Sequence, residues 1–413
     1  MAFEPPKLVL NGSGEGQLPA IGRVARDPLA HWPDDLLDTG VVQAKAGRQA
    51  LAFVSDPMAV STILMNRSDN FPRARFQDRI LGASYGENLV QADQQDWRGQ
   101  RRTIAQPITA DRAAGLVPRL ELAGDEMMDE WAALGPKRAV PLLRDTRRLS
   151  LDALYRAIFA SDRQARHRSP GIDDTARTIA AMCPIELKEE LVHLQPLAER
   201  LARDWKASRD GVADPKDLNT LTLFLHAGHD NVAVALGWML WLVAHRPELQ
   251  DAIRDEAAKR TAGAFSLRDF PVAGAIVRET LRLFPPILQL MREIRVPLTI
   301  GDVTLEPGSV AIVAIYAMQR HRRLWDQPDA FLPERFLDPQ DDTRERRAAW
   351  LPFGSGPRGC IGSSLALVEL ALFLVMTCQR FSLSPNPESP LQCHVEWTLR
   401  PVGDAPIFLH SRD

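Results

Sequence analysis

The sequence predicts a mainly helical α+β fold, and three observations carry that expectation. Long windows rich in Ala, Leu, Arg and Glu fill most of residues 57–260, punctuated by single prolines or glycines. Short β-type runs are segregated from them, near residue 50 and between 295 and 320. The repeating strand–helix order of a Rossmann fold is missing, so no nicotinamide or flavin dinucleotide is expected to bind.

Each segment follows from its residues. Residues 1–40 are rich in Gly, Pro and Asp with little period, which predicts an extended lead-in. Leu51-Ala52-Phe53-Val54 reads as a strand ended by a Ser-Asp-Pro turn, so residues 41–56 are expected to join 295–320 in a β-rich part. Residues 162–175 are polar, contain Pro and Gly, and predict a surface connection. Asp217 to His245 holds no proline and stops before Pro247. At 1.5 Å per residue it predicts a helix of roughly 40 Å, enough to cross a domain. Its middle, Leu225-His226-Ala227-Gly228-His229-Asp230-Asn231, places polar groups and a glycine inside an apolar rod. Glycine there costs roughly 1 kcal/mol against alanine, which implies close packing on the backbone. His226 and His229 are read as helix-packing histidines. A helix over 272–284 ends at Pro285-Pro286. Strands at Arg295–Ile300 and Val310–Ile315 follow, joined by a turn at Glu306-Pro307-Gly308, and a last apolar helix spans 364–380. The 413 residues are read as one domain, although a length prior of ~150 residues per domain allows two or three.

Composition narrows the function classes. A net charge of −3 gives no case for a nucleic-acid or anionic-membrane partner. Cys183, Cys360, Cys378 and Cys393 form no CxxC pair and no metal-finger spacing, which favours a reducing cytoplasm. The amino-terminal residues lack a charged and then apolar leader pattern. The longest apolar run, Val232–Ala244, is 13 residues, short of the ~20 that span a bilayer. A soluble, cytoplasmic protein is expected.

One stretch carries the chemistry. Phe353-Gly354-Ser355-Gly356-Pro357-Arg358-Gly359-Cys360-Ile361-Gly362 is a glycine-dense loop with one cysteine, directly before a helix. Glycines let backbone N–H groups approach a sulfur, and a following helix N-terminus and Arg358 add positive potential that favours a thiolate. The pattern Phe-x-x-Gly-x-Arg-x-Cys-x-Gly, continued by Leu365-Ala366, resembles the haem-binding loop of the cytochrome P450 family. Three further stretches match in order. Glu279-Thr280-Leu281-Arg282 has the Glu-x-x-Arg spacing that lets two side chains pair on one helical face. Phe331-Leu332-Pro333-Glu334-Arg335-Phe336 resembles the segment whose arginine joins that pair. Trp97-Arg98-Gly99-Gln100-Arg101 matches the family's Trp-x-x-x-Arg.

The resemblance implies a cytochrome P450 fold, helix-rich with small sheets, with haem b between a long distal helix and the proximal Cys360 loop. It implies Cys360 as the iron ligand, with Trp97, Arg101, Arg292, Phe353, Arg358 and Gly362 as cofactor-binding residues. Glu279, Arg282 and Arg335 are expected to form a buried structural network. Ala227-Gly228-His229-Asp230 fits the oxygen-binding motif, so Gly228, Asp230 and Asn231 are the expected catalytic positions. Here the sequence departs from the family, since Asn231 stands where a threonine is usual. An amide relays protons less readily than a hydroxyl, and a helix break near Gly228 is one way for backbone and water to share that task.

The implied activity is a soluble, monomeric monooxygenase of bacterial type. It inserts one oxygen atom of O2 into a small, apolar organic substrate, with electrons from a separate ferredoxin and ferredoxin reductase. The alternative is peroxide-dependent oxidation, oxidative coupling or rearrangement, suggested by Asn231. A haem carrier without catalysis is a third reading. Phe76, Ile80, Leu81, Ile179, Leu288 and Leu290 are expected to line the substrate cavity, with Gln289 as a polar handle.

Overall fold

The computed structural model describes residues 3–8, 10, 17–18, 32–65, 69–75, 87–90, 92, 94–105, 108, 110–135, 138–159, 196, 199, 215–258, 265–338, 343–396 and 398–412. Phe76, Ile80, Leu81, Ile179, Cys183 and the connection expected over 162–175 lie outside them. The described helices, in chain order, are α1 (Pro57–Met65), α2 (Gln94–Ala105), α3 (Ala110–Leu134), α4 (Leu142–Leu154), α5 (Pro215–Ala244), α6 (Pro247–Ala257), α7 (Pro271–Leu283), α8 (Ile315–Met318), α9 (Arg344–Ala349) and α10 (Ser363–Arg380). The strands are short. They are β1 (Gln17–Leu18), β2 (Val41–Ala46), β3 (Gln49–Val54), β4 (Ala139–Val140), β5 (Gln289–Glu293), β6 (Leu298–Ile300), β7 (Val303–Leu305), β8 (Val310–Ala314), β9 (Phe381–Pro385), β10 (Cys393–Glu396), β11 (Thr398–Pro401) and β12 (Ile407–Ser411).

The chain divides into two compact units. Unit 1 comprises Met1–Arg79, Arg278–Cys360 and Gln392–Arg400, and unit 2 comprises the remainder. Unit 1 is built on a five-stranded sheet in the order β1-β2-β3-β8-β5. The hairpin β2–β3 is antiparallel, whereas β3 and β8 run parallel with Leu51 opposite Val310. All five residues of β8 are buried, which explains why Val310-Ala311-Ile312-Val313-Ala314 is a continuous apolar run without alternation. One core cluster packs Ala52 and Val54 with Val60, Ile63 and Leu64 of α1, and with Ile294, Val313, Met318, Trp325 and Leu351.

The expected strands at Arg295–Ile300 and Val310–Ile315 are present in part. The first is half of a β6–β7 hairpin closed at Gly301, and the Glu306-Pro307-Gly308 turn leads from β7 into β8. β5, just after Pro285-Pro286, was not anticipated. It pairs antiparallel with β8.

Unit 2 is helical, with a small β4-β12-β9 sheet. α4 lies along α5, and α10 packs against α3, α5 and α6. Single prolines were read as breaks in this region, yet α3 continues through Pro118. Trp238, Leu240, Leu242 and Val243 of α5 are fully buried, as are Ala371 to Val375 of α10. α10 also corrects the expectation about spans: it is long and apolar enough to cross a membrane by length and composition. The count of uninterrupted apolar residues missed it, because Glu369 and Thr377 divide the run. In the structure 67% of it is buried, as the central helix of unit 2.

Candidate active site

The Cys360 loop belongs to unit 1 and is closed by its own backbone. Gly354 N–H donates to Leu351 O (3.1 Å), Gly359 N–H to Gly356 O (3.0 Å) and Cys360 N–H to Phe353 O (2.9 Å). Gly356 has φ +73°, and a Cβ there would stand 2.1 Å from Leu64 O, so only glycine lets the loop lie on the end of α1. Ser355 Oγ donates to Met65 Sδ at 3.2 Å, a second tie to that helix. Gly354-Ser355-Gly356-Pro357-Arg358-Gly359 has the spacing of a dinucleotide fingerprint. It is preceded by irregular chain rather than by a strand, which is not the context of a dinucleotide-binding turn.

The Glu279 network stands behind this loop. Glu279 Oε1 accepts from Arg282 Nη2 (2.8 Å), Arg335 Nε (3.1 Å) and Leu332 N–H (2.9 Å), and Oε2 accepts from Arg282 Nε (2.7 Å). Arg282 reaches further, to the carbonyls of Gln319, Pro328 and Ala330. Burial pulls Arg335 below its ordinary value, with Glu279 opposing. The expected three-residue network is therefore present, with two members that sequence reasoning missed. Gln319 donates from Nε2 to Leu281 O and Arg282 O, and its Oε1 accepts Leu351 N–H at the start of the cysteine loop (2.8 Å). Trp325 lies under Arg282, 5.1 Å from ring centroid to guanidinium, and begins an aromatic series through Phe336 and Trp350 to Phe353. Neither residue carries a recognisable local pattern.

The other expected cofactor residues are placed as follows. Arg292 sits on β5, buried, its Nη1 donating to Met291 O (2.9 Å), and its backbone is bridged to Arg73. Arg358 is half-buried, and Gly362 is the N-cap residue of α10. In unit 2, α2 carries Trp97 and Arg101, the guanidinium 5.5 Å from the indole centroid. Arg98 and Arg102 on the same helix are exposed. Leu288 is buried and Leu290 Cδ1 would stand 3.3 Å from a Cβ at Gly354, so Leu290 packs on the cysteine loop.

The expected catalytic positions lie on α5. The helix is continuous from Pro215 to Ala244, with no break at Gly228. A Cβ on Gly228 would stand 3.0 Å from Leu154 Cδ2, so close packing by α4 accounts for the glycine. Asn231 is half-buried and donates from Nδ2 to Ala227 O one turn back (2.8 Å). Asp230 is buried and paired with Arg147 of α4, whose Nε and Nη2 lie 3.1 and 3.0 Å from the same Oδ1. His229 is a packing residue, its Nδ1 2.7 Å from Leu225 O.

Another buried carboxyl lies on α10. Burial pushes Glu369 up to about 8, opposed by a hydrogen bond from Ser150 Oγ (3.2 Å). Its folded-state value lies above the ordinary one, so folding holds a proton that the unfolded chain releases. The stability from that proton is complete below about pH 4.5 and is lost as pH rises through about 8. Glu369→Gln should therefore gain on the parent in thermal stability progressively across that window and by a constant margin above it. Melting curves from about pH 5 to 9 check this, and parallel curves would contradict it.

A protein-family model described as "Cytochrome P450" matches residues 39–214 and 194–403. Over 218 residues the chain is 35% identical to cytochrome P450 4X1 of Rattus norvegicus, covering 51% of this chain and 41% of that protein. Cytochrome P450 714C3 of Oryza sativa subsp. japonica is 24% identical over 88% of this chain and 80% of its own length. Cytochrome P450 4X1 of Homo sapiens is likewise 24% identical, over 88% of this chain and 82% of that protein. The rat match thus spans less than half of its protein. The chain belongs to the cytochrome P450 family, whose members are haem–thiolate monooxygenases, and its mainly helical α+β architecture is the family's.

The residues present fit the family's haem. Iron ligation needs a cysteine that can be a thiolate. Burial pushes Cys378 and Cys393 up to about 12, which keeps both protonated near neutrality. Among the described cysteines only Cys360 is exposed.

Proposed function

We propose that this chain is a haem–thiolate monooxygenase in which Cys360 holds the iron. The observation that carries the reading is the glycine-closed loop, which leaves its cysteine exposed. Among the other described cysteines Cys378 is buried, Cys393 is half-buried, and burial pushes both thiols up to about 12. Bound haem supplies activation of O2, and thiolate donation to the iron favours O–O cleavage. The chain's own residues bind and orient it. Trp97, Arg101, Arg292 and Arg358 are donors suited to its carboxylates, and Phe353 and Gly362 flank the ligand. Gly228, Asp230 and Asn231 form the segment that governs proton supply. The substrate is a small apolar organic molecule received beside Leu288 and Leu290, with Gln289 as its polar contact. Electrons come from a separate ferredoxin and its reductase, and the protein works as a cytoplasmic monomer of bacterial type.

A second reading rests on Asn231, whose amide N–H is engaged by Ala227 O and supplies no hydroxyl. It is peroxide-dependent oxidation, oxidative coupling or rearrangement. Turnover of haem-loaded protein with NAD(P)H, a ferredoxin pair and 18O2 separates the two. Incorporation of one labelled oxygen atom into product supports the first. Product with peroxide alone, and none with NAD(P)H, supports the second. No product under either condition leaves a haem carrier.

A further inference from the structure

We propose that Gln319 is a positioning residue for the oxidation, setting through the backbone of Leu351 where the Cys360 sulfur stands. The inference deepens the monooxygenase reading and rests on it. The need for such a residue arises at the end of α7. In a helix the carbonyl of residue i accepts the N–H of residue i+4. For Leu281 and Arg282 those positions are Pro285 and Pro286, which have no N–H to give. Gln319 supplies both missing donors from one nitrogen, Nε2, which lies 2.9 Å from Leu281 O and 2.9 Å from Arg282 O. The exchange is mutual, since Gln319 O accepts Arg282 Nη1 at 2.8 Å.

Those bonds leave the amide only one way round. Its oxygen then faces the cysteine loop, where it accepts Leu351 N–H at 2.8 Å. Turning the amide over would set oxygen against two carbonyls and its NH2 group against an N–H. Gln319 is fully buried, and its own N–H donates to Ile315 O (2.9 Å) as the C-cap residue of α8. One planar group therefore fixes the distance between the end of α7 and the start of the loop.

From Leu351 the tie reaches the cysteine in two steps. Leu351 O accepts Gly354 N–H (3.1 Å), and Phe353 O, inside that turn, accepts Cys360 N–H (2.9 Å). Trp350 is bound to α7 separately, its Nε1 donating to Arg278 O (3.0 Å). It keeps the segment on the helix when Gln319 is altered, whereas the Leu351 N–H bond depends on Gln319. A buried N–H that loses its acceptor is costly, and the chain shifts to find it another. Here the shift passes through the 351–354 turn to Cys360. A ligand is tuned by the groups that hold it, so the displacement is read in the properties of bound haem.

The test compares haem-loaded protein with its Gln319→Met and Gln319→Glu variants. Gln319→Met removes all three side-chain bonds. Gln319→Glu weakens the bonds to α7, yet in either protonation state it keeps an oxygen for Leu351 N–H. Both variants should melt below the parent. Only Gln319→Met should lose part of the thiolate-type band of reduced, carbon monoxide-treated protein and shift the reduction potential, both measured well below melting. Amide exchange at Leu351 should be about tenfold faster in Gln319→Met, as one protecting hydrogen bond is lost, and near the parent rate in Gln319→Glu. If Gln319→Met does not fold, Gln319→Asn, too short to reach α7 and Leu351 together, carries the same comparison. A lower melting temperature with parent-like band, potential and Leu351 exchange in Gln319→Met would overturn the proposal, as would equal changes in both variants. If the parent itself gives no thiolate-type band, the monooxygenase reading fails, and exchange at Leu351 still decides whether Gln319 sets the loop.

Discussion

Cys360→Ala should abolish the thiolate-type absorption band that reduced, haem-loaded protein gives with carbon monoxide. Cys183→Ala, Cys378→Ala and Cys393→Ala should each retain it. The expectation follows from the contrast among thiols. Cys378 and Cys393 are raised to about 12 by burial and are not available as thiolates. Cys393 Sγ is also occupied as a donor to Pro6 O. Cys360 is exposed at the end of a loop whose backbone is closed by three hydrogen bonds. The visible spectrum of dithionite-reduced, carbon monoxide-treated protein is the measurement. Survival of the band in Cys360→Ala would remove the basis for the site.

The second large effect is on folding. Arg282→Met should destabilise the protein by about 3–5 kcal/mol, because it removes the main partner of a carboxylate that is completely buried. Glu279 would keep only Arg335 Nε and Leu332 N–H, and three carbonyls would lose the guanidinium they share. Arg282→Lys should not rescue it, since one ammonium cannot reproduce a fork that reaches Glu279 and the carbonyls of Gln319, Pro328 and Ala330 together. Urea titration checks the magnitude. A loss under about 1 kcal/mol would mean that the network relaxes around the gap.

Much of the fold was legible because its longest elements are punctuated in sequence. The helix expected at Asp217–His245 is α5, and those expected at 272–284 and 364–380 are α7 and α10 within a residue. Leu51–Val54 is strand, as its β-type run implied. What escaped were features set by distant partners. β5 has no alternation of its own and becomes strand by pairing with β8. Gly228 looked like a weak point in the helix, but its missing side chain makes room for Leu154. The same holds at the site. Glu279, Arg282 and Arg335 carry recognisable spacings, whereas Gln319, Trp325 and Arg147 matter only because of what the fold brings to them. The ion pair of Asp230 is the clearest case, since α4 offers five basic and acidic residues among its thirteen and nothing local singles out Arg147.

The parallel pairing of β3 with β8 has a consequence for how the chain is made. Gln49 and Gly308, which bond beside these strands, are 259 residues apart. During translation the β2–β3 hairpin emerges early, but the side of β3 that meets β8 waits for most of the polypeptide. Until then Leu51-Ala52-Phe53-Val54 presents an unpaired apolar edge, the kind of surface that invites aggregation or capture by chaperones. Contacts of such long range also slow folding, because loop closure precedes any gain from them. Nascent chains arrested before Val310 should therefore depend on chaperones in a way that full-length chains do not.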